Sequence, residues 1–189
     1  PAKDEVPDGP PTLVLARRDQ VLPAGRRDQW SGPEDASLAL HWGWDGKGLW
    51  LAAEVTDDRH ANPRSGETLW NADALQIAVT SDGVKPTNLA LALTDKGIQT
   101  YQWIGADLAL GRKSRIDIRR HEERNITRYR AWLPLESLGV VPEPGALLGF
   151  NVVVFDNDDL DGYDYWLWYS EGLAGGWAPE KFNRFVLGE

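Results

Sequence analysis

Cysteine and methionine are both absent from this chain of 189 residues. The absence of cysteine excludes a disulfide framework, a thiolate metal site and a cysteine nucleophile. It does not identify the compartment, because a domain of this size can be stable outside the cell without disulfides. The absence of methionine removes one of the side chains that commonly bind haem iron.

Long apolar runs and a positive net charge are missing as well. No apolar run approaches the roughly 18 residues that a membrane span requires, and no basic segment followed by an apolar leader is present. The net charge is −9, whereas binding to nucleic acid depends on Lys and Arg, which release counterions from phosphates. We therefore expect neither a membrane nor a nucleic acid as partner. A solvated face is favoured over an anion site for the one locally basic stretch, 119–130.

The usual catalytic motifs are not found. There is no G-x-S-x-G elbow, phosphate-binding glycine loop, H-E-x-x-H or dinucleotide fingerprint. His41, His60 and His121 are widely spaced and lack neighbours at metal-ligand spacing. Carboxylates are numerous, so a glycosidase-type pair about 5 to 9 Å apart stays open as the catalytic alternative. We predict a domain that is not an enzyme.

Tryptophan, by contrast, is in excess, with 10 copies in one small chain. Tryptophan is bulky and seldom completely buried. We therefore expect several of these side chains to contact solvent or a ligand. Trp50 and Trp132 lie inside alternating segments, where packing in the core or between strands is the favoured role.

A period of two residues dominates the chain and predicts strands separated by turns. Leu75, Ile77 and Val79 alternate with small or polar residues, which is typical of a sheet that packs one face on a core. The predicted strands cover 37–44, 49–56, 73–80, 88–94, 98–103, 115–120, 126–133, 150–155, 163–168 and 182–187.

Only one helical turn is predicted, at 134–139, where proline begins the turn and glycine ends it. Together these elements predict an all-β fold, an antiparallel, jelly-roll-like β-sandwich of roughly ten strands. Residues 1–11 have the composition of a linker, and 12–189 are predicted to form a single domain.

An acidic segment at 157–162 fits the first half of a calcium loop, with oxygen ligands on alternate residues and glycine for a sharp turn. It is not an EF-hand, since Trp168 holds the position of the closing glutamate. Concentrated carboxylates repel one another unless a cation neutralises them, so we expect a structural Ca²⁺; the alternative is a solvated acidic turn. The predicted ligands are Asp57, Asp156, Asn157, Asp159 and Asp161.

Five segments occur in the order found in one known family. They are LALHW with GLWLAAEVTD at 38–57, WNADALQI at 70–77, YRAWLPLESL at 129–138, GFNVVVFDNDD at 149–159 and WAPEKF at 177–182. In this order the chain resembles the family 9 carbohydrate-binding modules and their family-9-like, DOMON-related relatives. The resemblance implies a β-sandwich that binds sugar at the end of a polysaccharide chain and contains structural calcium.

The resemblance also implies that Trp70 and Trp177 hold the sugar between them. An indole face can stack on the apolar C–H face of a pyranose, and such a contact adds about 0.5 to 1.5 kcal/mol beyond area burial. Two stacks with several hydrogen bonds predict a Kd of about µM to mM. Asn71, Gln76 and Asn88 are the expected polar contacts near the two tryptophans.

Some positions depart from the family pattern. Gln76 stands where the family has glutamate, Asn88 lies near the place of an expected arginine, and Arg130 replaces another glutamate. These changes exchange acidic groups for neutral and basic ones. We therefore expect a glycan other than the usual neutral chain end, such as one that contains uronates, with Arg128 and Arg130 facing it.

The expected partners are a polysaccharide or oligosaccharide and a covalently linked catalytic domain. The module is then expected outside the cell, in the periplasm or at the cell surface, as part of a larger secreted protein. Two non-enzymatic alternatives stay open: a DOMON-type haem or redox domain, and a purely structural interaction module.

Overall fold

Strands account for most of the regular structure. The computed structural model describes residues 9–158 and 161–188. Within these ranges the strands are β1 (Leu13–Leu15), β2 (Val21–Leu22), β3 (Ala36–Trp44), β4 (Gly48–Asp57), β5 (Ala74–Thr80), β6 (Thr87–Thr94), β7 (Gly97–Ile104), β8 (Arg115–His121), β9 (Ile126–Pro134), β10 (Leu147–Asp156), β11 (Tyr165–Trp168) and β12 (Asn183–Val186).

Helical segments in the described residues are short. One α-helix, α1, covers Leu110–Lys113. The 3₁₀ helices cover Arg18–Gln20, Ala24–Arg26, Gly66–Thr68, Glu122–Arg124, Glu136–Leu138 and Pro179–Lys181. No helix in the described part of the chain is long and apolar enough to span a membrane.

The strands form two antiparallel sheets that pack as a sandwich. The first sheet has the order β1-β3-β4-β9-β8, and the second has the order β2-β11-β10-β5-β6-β7, with β12 beside β10. The β-sandwich prediction is confirmed, and all ten predicted strands are present with ends shifted by no more than three residues. Sequence analysis missed β1 and β2, because three and two residues are too few to show a period.

Local sequence explains the hairpin between β3 and β4. Asp45 Oδ1 accepts hydrogen bonds from the backbone N–H groups of Lys47 (3.1 Å) and Gly48 (2.8 Å). Gly46 has a φ of 83°, a conformation that side chains with a Cβ rarely adopt. The predicted turn at 134–139 also forms, as the 3₁₀ helix Glu136–Leu138 closed by Gly139 at φ 75°.

The core lies between the inner faces of the two sheets. Leu75, Ile77 and Val79 of β5 point into it, as the alternation predicted. Trp42 of β3 stacks on Phe150 of β10 with ring centroids 4.9 Å apart, which joins the two sheets. Each buried Leu, Ile or Phe stabilises the fold by about 1.5–3 kcal/mol relative to an exposed side chain.

The outer face of the second sheet is lined by small residues. Ala74, Ala78, Ala90 and Ala92 are all buried there beneath a second apolar cluster. Because alanine side chains are short, aromatic rings from loops can pack over the sheet. This face carries the cleft described below. The predicted boundary between a linker at 1–11 and a domain at 12–189 stays a prediction, since residues 1–8 lie outside the described residues.

Candidate functional site

A cleft of about 320 Å³ opens on the outer face of the second sheet. Six of its lining residues are aromatic, and the cleft is called the aromatic cleft below. The lining residues are Trp70, Gln76, Trp103, Phe155, Tyr163, Trp166, Leu173, Ala174, Gly175, Gly176 and Trp177.

Strand residues form the floor of the aromatic cleft. Phe155 of β10 lies opposite Trp166 of β11, and their ring centroids are 6.1 Å apart. Trp103 of β7 comes from a bulge: Leu89 pairs with Gln102 and Asn88 with Ile104, so Trp103 has no cross-strand partner. Bulges of this kind direct a side chain out of the regular pleat. The floor is therefore a rigid aromatic surface held by the sheet.

Loop residues form the rim. Trp70 follows the 3₁₀ helix Gly66–Thr68 and is 38% exposed, with its ring 5.4 Å from that of Tyr163. Trp177 is 49% exposed and follows Gly175 and Gly176, which have φ values of 79° and 141°. The structure thus brings the two tryptophans singled out by sequence analysis to one cleft.

Polar groups in the cleft are few and buried. Gln76 Nε2 donates a hydrogen bond of 2.8 Å to Asn88 Oδ1, and both side chains are buried on the sheet. The structure gives Trp166 Nε1 and Asn88 Nδ2 no hydrogen-bond partner in the ranges it describes. A buried donor without a partner costs about 1–3 kcal/mol. The Trp166 and Asn88 nitrogens are shielded from solvent, and Asn88 does not line the cleft, so Gln76 is the polar side chain that the cleft presents to a ligand.

No lysine, arginine, histidine, aspartate or glutamate lines the aromatic cleft among the described residues. Burial of a charged ligand group would therefore have no opposite charge to offset its desolvation. The cleft suits a neutral ligand with both an apolar face and hydroxyl groups.

Arg128 and Arg130 lie elsewhere, which corrects the expectation that they face the same ligand. Tyr129 and Ala131 of β9 point into the core, so the alternating arginines lie on the outer face of the first sheet. Arg128 Nε forms an ion pair with Glu54 at 2.7 Å. The whole core separates both arginines from the aromatic cleft.

Asn71 lies beside the aromatic cleft rather than in it. Its Oδ1 accepts a hydrogen bond of 3.3 Å from the backbone N–H of Tyr163. It lines a neighbouring polar cleft together with Asp161. Asn71 therefore positions the segment that carries Tyr163.

A second feature, called the acidic cluster below, forms where strand ends meet. Asp35 and Asp73 precede β3 and β5, whereas Asp57 and Asp156 end β4 and β10. All four are buried. The cluster contains three groups of side chains, and within each group the possible ligand atoms lie within 4.8 Å of one another. The first group is Asp57, His60 and Asp73, the second is Asp35, Asp58 and Asp158, and the third is Asp156, Asp158 and Asp164.

Burial and mutual repulsion disfavour negative charge in the acidic cluster. Burial, together with Asp57 and Asp158, raises the pKa of Asp156 to about 9. Burial and neighbouring carboxylates, Asp58 first among them, raise the pKa of Asp158 to about 6. The pKa of Asp73 is also raised well above its ordinary value, mainly by burial. Without a cation, these carboxyl groups tend to keep their protons.

The donor set fits a hard cation such as calcium. Asp156 Oδ2 and Asp158 Oδ1 are buried, and neither has a hydrogen-bond partner within the residues that the structure describes. Carboxylate oxygens are the ligands that calcium prefers. Asp57 differs from these two residues, because its Oδ2 lies 3.7 Å from Arg120 Nη1 and so already has a positive partner.

The predicted calcium ligands are only partly brought together. Asp57 and Asp156 belong to the acidic cluster. Asn157 is buried next to Asp156, and its backbone N–H donates to Asp73 Oδ1 at 2.7 Å. Asp161 is exposed and lies in the neighbouring polar cleft, and Asp159 lies outside the described residues.

Sequence analysis did not single out Asp35, His60, Asp73 and Asp164 as members of the cluster. A usable signal was present in the sequence, because Asp35, Asp73 and Asp164 each stand directly before a strand. That signal shows which residues flank strands, but not which strand ends lie side by side.

The chain is similar in sequence to one family of known proteins and in fold to solved structures. A family model described as "Carbohydrate family 9 binding domain-like" matches residues 20–186. No curated protein matches the chain. One similar solved structure is a family 9 carbohydrate-binding module from Caldicellulosiruptor kristjanssonii in complex with glucose. The TM-score is 0.65 and the sequence identity is 16%, over 82% of this chain and 78% of that chain.

A second similar structure is a family 9 carbohydrate-binding module from the same organism in complex with cellotriose. It has a TM-score of 0.62 and 16% identity, over 81% of this chain and 74% of that chain. At this identity the likeness shows a shared fold.

Proposed function

The chain belongs to the carbohydrate family 9 binding domain-like family, and on that premise we propose that it holds a sugar between Trp70 and Trp177 in the aromatic cleft. It is a carbohydrate-binding module, and we propose no reaction for it. The observation that supports the site is the pair of exposed tryptophans, 38% and 49% exposed, on the rim of a neutral aromatic cleft.

The physical chemistry of the cleft matches a pyranose. The apolar C–H face of the ring can stack on indole, and each such contact adds about 0.5–1.5 kcal/mol beyond area burial. Gln76 supplies a hydrogen bond to a hydroxyl group and so helps to fix the orientation of the ring. Few polar groups with many apolar contacts are the usual composition of a small-molecule site.

The ligand in this proposal is a neutral sugar. No charged side chain lines the aromatic cleft in the described ranges, and Arg128 and Arg130 lie across the core from it. A uronate-containing glycan therefore does not match the aromatic cleft. Two similar structures contain glucose and cellotriose, which makes glucose and its β-1,4 oligomers the first sugars to test. The lining residues also include neither histidine nor methionine, so the haem alternative has no observation in its favour.

We also propose that calcium occupies the acidic cluster. The two buried carboxylate oxygens without partners, on Asp156 and Asp158, support this assignment. The oxygen-only groups share Asp158, so Asp35, Asp58, Asp156, Asp158 and Asp164 are the proposed ligands. Bound calcium would offset part of the negative charge of these carboxylates and would hold Asp164, whose neighbour Tyr163 lines the aromatic cleft.

The biological role in this proposal is targeting. The module would bring a covalently linked catalytic domain to a polysaccharide, as part of a larger protein outside the cell, in the periplasm or at the cell surface. The support for this part of the proposal is the family, which its description assigns to carbohydrate binding.

Binding of neutral glycans to tryptophan variants tests the site. Trp177→Ala removes one stacking face, so we expect affinity for the best sugar to fall by about tenfold or more, or about 1.4 kcal/mol. Isothermal titration calorimetry with glucose, cellobiose and cellotriose measures this change, preceded by a screen on insoluble polysaccharides.

Trp50→Ala is the matched control, because Trp50 lies on the outer face of the first sheet, away from the aromatic cleft. Its affinity for the same sugar should equal that of the wild type. Unchanged binding in both Trp177→Ala and Trp70→Ala would show that the sugar is held elsewhere.

A further inference from the structure

A second cleft of about 390 Å³ adjoins the aromatic cleft at Tyr163. It is called the polar cleft, and it is lined by Arg26, Gln29, Asn71, Asp161, Gly162, Tyr163 and Asp164. Tyr163 lines both clefts. Its ring lies 5.4 Å from Trp70 and 5.1 Å from Trp166, and the Arg26 guanidinium carbon lies 5.6 Å from its centroid.

The polar cleft has hydrogen-bonding groups that the fold leaves unused. Arg26 NH1 donates to the backbone carbonyls of Tyr163 (3.0 Å) and Asp164 (2.5 Å). A guanidinium has five N–H groups, so the remaining ones stay available. Asn71 uses its Oδ1 on the Tyr163 backbone, while its Nδ2 bonds to none of the described residues. The side-chain amide of Gln29, exposed on the surface, bonds to none of them either.

These groups match the hydroxyls of a sugar, which both donate and accept hydrogen bonds. Amides offer a donor and an acceptor, and arginine offers several donors in a fixed geometry. The polar cleft contains one guanidinium and two carboxylates, so it gives no preference for an anionic sugar. It has little apolar surface for stacking, and it would hold an isolated monosaccharide weakly.

The polar cleft can hold a sugar unit more effectively when another unit of the same chain is already bound in the aromatic cleft. The next unit of the same chain is then at a high effective concentration near the polar cleft, and a few hydrogen bonds suffice to hold it. We infer that the polar cleft is a second sugar subsite, which takes the next unit of a neutral oligosaccharide whose first unit occupies the aromatic cleft. This inference rests on the proposed function, and it makes oligosaccharides, rather than free monosaccharides, the ligands of the module.

The dependence of affinity on chain length tests the inference. Isothermal titration calorimetry compares glucose, cellobiose and cellotriose on the wild type and on Arg26→Ala and Gln29→Ala. We expect the wild type to bind cellotriose about tenfold or more tightly than glucose, because two or more added hydrogen bonds contribute about 0.5–1.5 kcal/mol each. Arg26→Ala should weaken cellotriose binding about three- to tenfold and leave glucose binding unchanged within about twofold.

The control variant is Arg18→Ala, which removes an exposed arginine that pairs with Asp28 and lines neither cleft. It should match the wild type for every sugar. Circular dichroism checks the fold of each variant. Should Arg26→Ala fail to fold, Gln29→Ala decides, since its side chain contributes no hydrogen bond to the described fold.

Three outcomes separate the possibilities. Equal affinities for glucose and cellotriose in the wild type would overturn the second subsite and leave the aromatic cleft in place. An equal loss for both sugars in Arg26→Ala would overturn it as well, because Arg26 would then act only by positioning Tyr163. Absence of binding of all three sugars to the wild type would overturn the proposed function and, with it, this inference.

Discussion

In the proposed site, Gln76 is the side chain of the sheet that would bond to hydroxyl groups of a sugar in the aromatic cleft. It is only 6% exposed, and Asn88 fixes its amide through a hydrogen bond of 2.8 Å. A neutral amide costs less to bury than an unpaired carboxylate, and no cation lines the cleft in the described ranges. Glutamine at this position therefore agrees with a neutral surrounding and a neutral ligand.

Replacement of Gln76 tests this role. We expect Gln76→Ala to lower sugar affinity about three- to tenfold, since a lost hydrogen bond costs about 0.5–1.5 kcal/mol and Asn88 loses its partner. Calorimetry with the best-bound sugar measures the loss. Gln99→Ala is the control, because Gln99 of β7 donates a hydrogen bond to Thr94 of the adjacent strand β6 and does not line the cleft. Equal affinities of Gln76→Ala and the wild type would remove Gln76 from the site.

At the scale of single elements, two tryptophans of the first sheet lie over glycines of neighbouring strand segments. Trp50 covers Gly43 of β3, and Trp132 of β9 covers Gly48 at the start of β4. Trp132 Nε1 also donates to Asp45 Oδ2 at 2.8 Å, which joins β9 to the hairpin turn. These contacts confirm the sequence-based expectation that Trp50 and Trp132 pack between strands.

A side chain at position 48 would disturb this packing. A Cβ on Gly48 would fall inside the Trp132 indole, so the ring must move and lose its bond to Asp45. We expect Gly48→Ala to lower the free energy of unfolding by about 1–3 kcal/mol, the usual cost of overpacking. Urea denaturation measures this value.

Gly25→Ala serves as the matched control, since a Cβ there meets nothing within 4 Å. Its free energy of unfolding should change by less than about 0.5 kcal/mol, as is usual at such surface positions. An equally small change in Gly48→Ala would mean that the packing of Trp132 does not require glycine at position 48. In the double variant Gly48→Ala with Trp132→Ala, the change in the free energy of unfolding should differ from the sum of the changes in the two single variants.

Strand positions and faces could be read from the sequence, because a period of two residues is a local property. The inward face of β5 and the turn at Asp45 follow from residues only a few positions apart. Trp70 and Trp177 were found through family segments rather than through periodicity. The alternation in β9 puts Arg128 and Arg130 on the same face of their strand, but it does not show which sheet the strand joins, and the expectation that both face the sugar was wrong.

At the scale of the whole molecule, both sites depend on contacts between distant segments. The aromatic cleft joins side chains from β5, β7, β10 and β11 with side chains from three loops, and the alanines of the sheet beneath it give no local signal for a ligand. The acidic cluster joins residues as far apart as Asp35 and Asp164. Sequence analysis therefore placed four of the five expected calcium ligands at 156–161 and only Asp57 at another strand end, whereas the fold gathers carboxylates from several strand ends.

The acidic cluster also makes stability depend jointly on pH and calcium. In the folded, metal-free protein the pKa of Asp156 is raised from 3.8 to about 9, and that of Asp158 from 3.8 to about 6. A carboxyl group with a raised pKa keeps a proton that the unfolded chain has already released. The free energy of unfolding of the metal-free protein should therefore decrease as the pH rises from about 4 to 9.

Calcium should oppose this decrease, because it replaces the protons and binds more tightly as the carboxyl groups ionise. At a calcium concentration about 100 times the Kd, binding to the folded state adds about 2.7 kcal/mol, which corresponds to a Tm increase of about 5–10 °C for a chain of this size. Differential scanning calorimetry in calcium and in EDTA should show a small difference in Tm at pH 5 and a larger one at pH 8. In Asp156→Asn the effect of calcium should shrink, while Asp117→Asn, on the outer face of the first sheet, should behave as the wild type. A Tm that is the same in calcium and EDTA at pH 8 would show that the acidic cluster is not a calcium site.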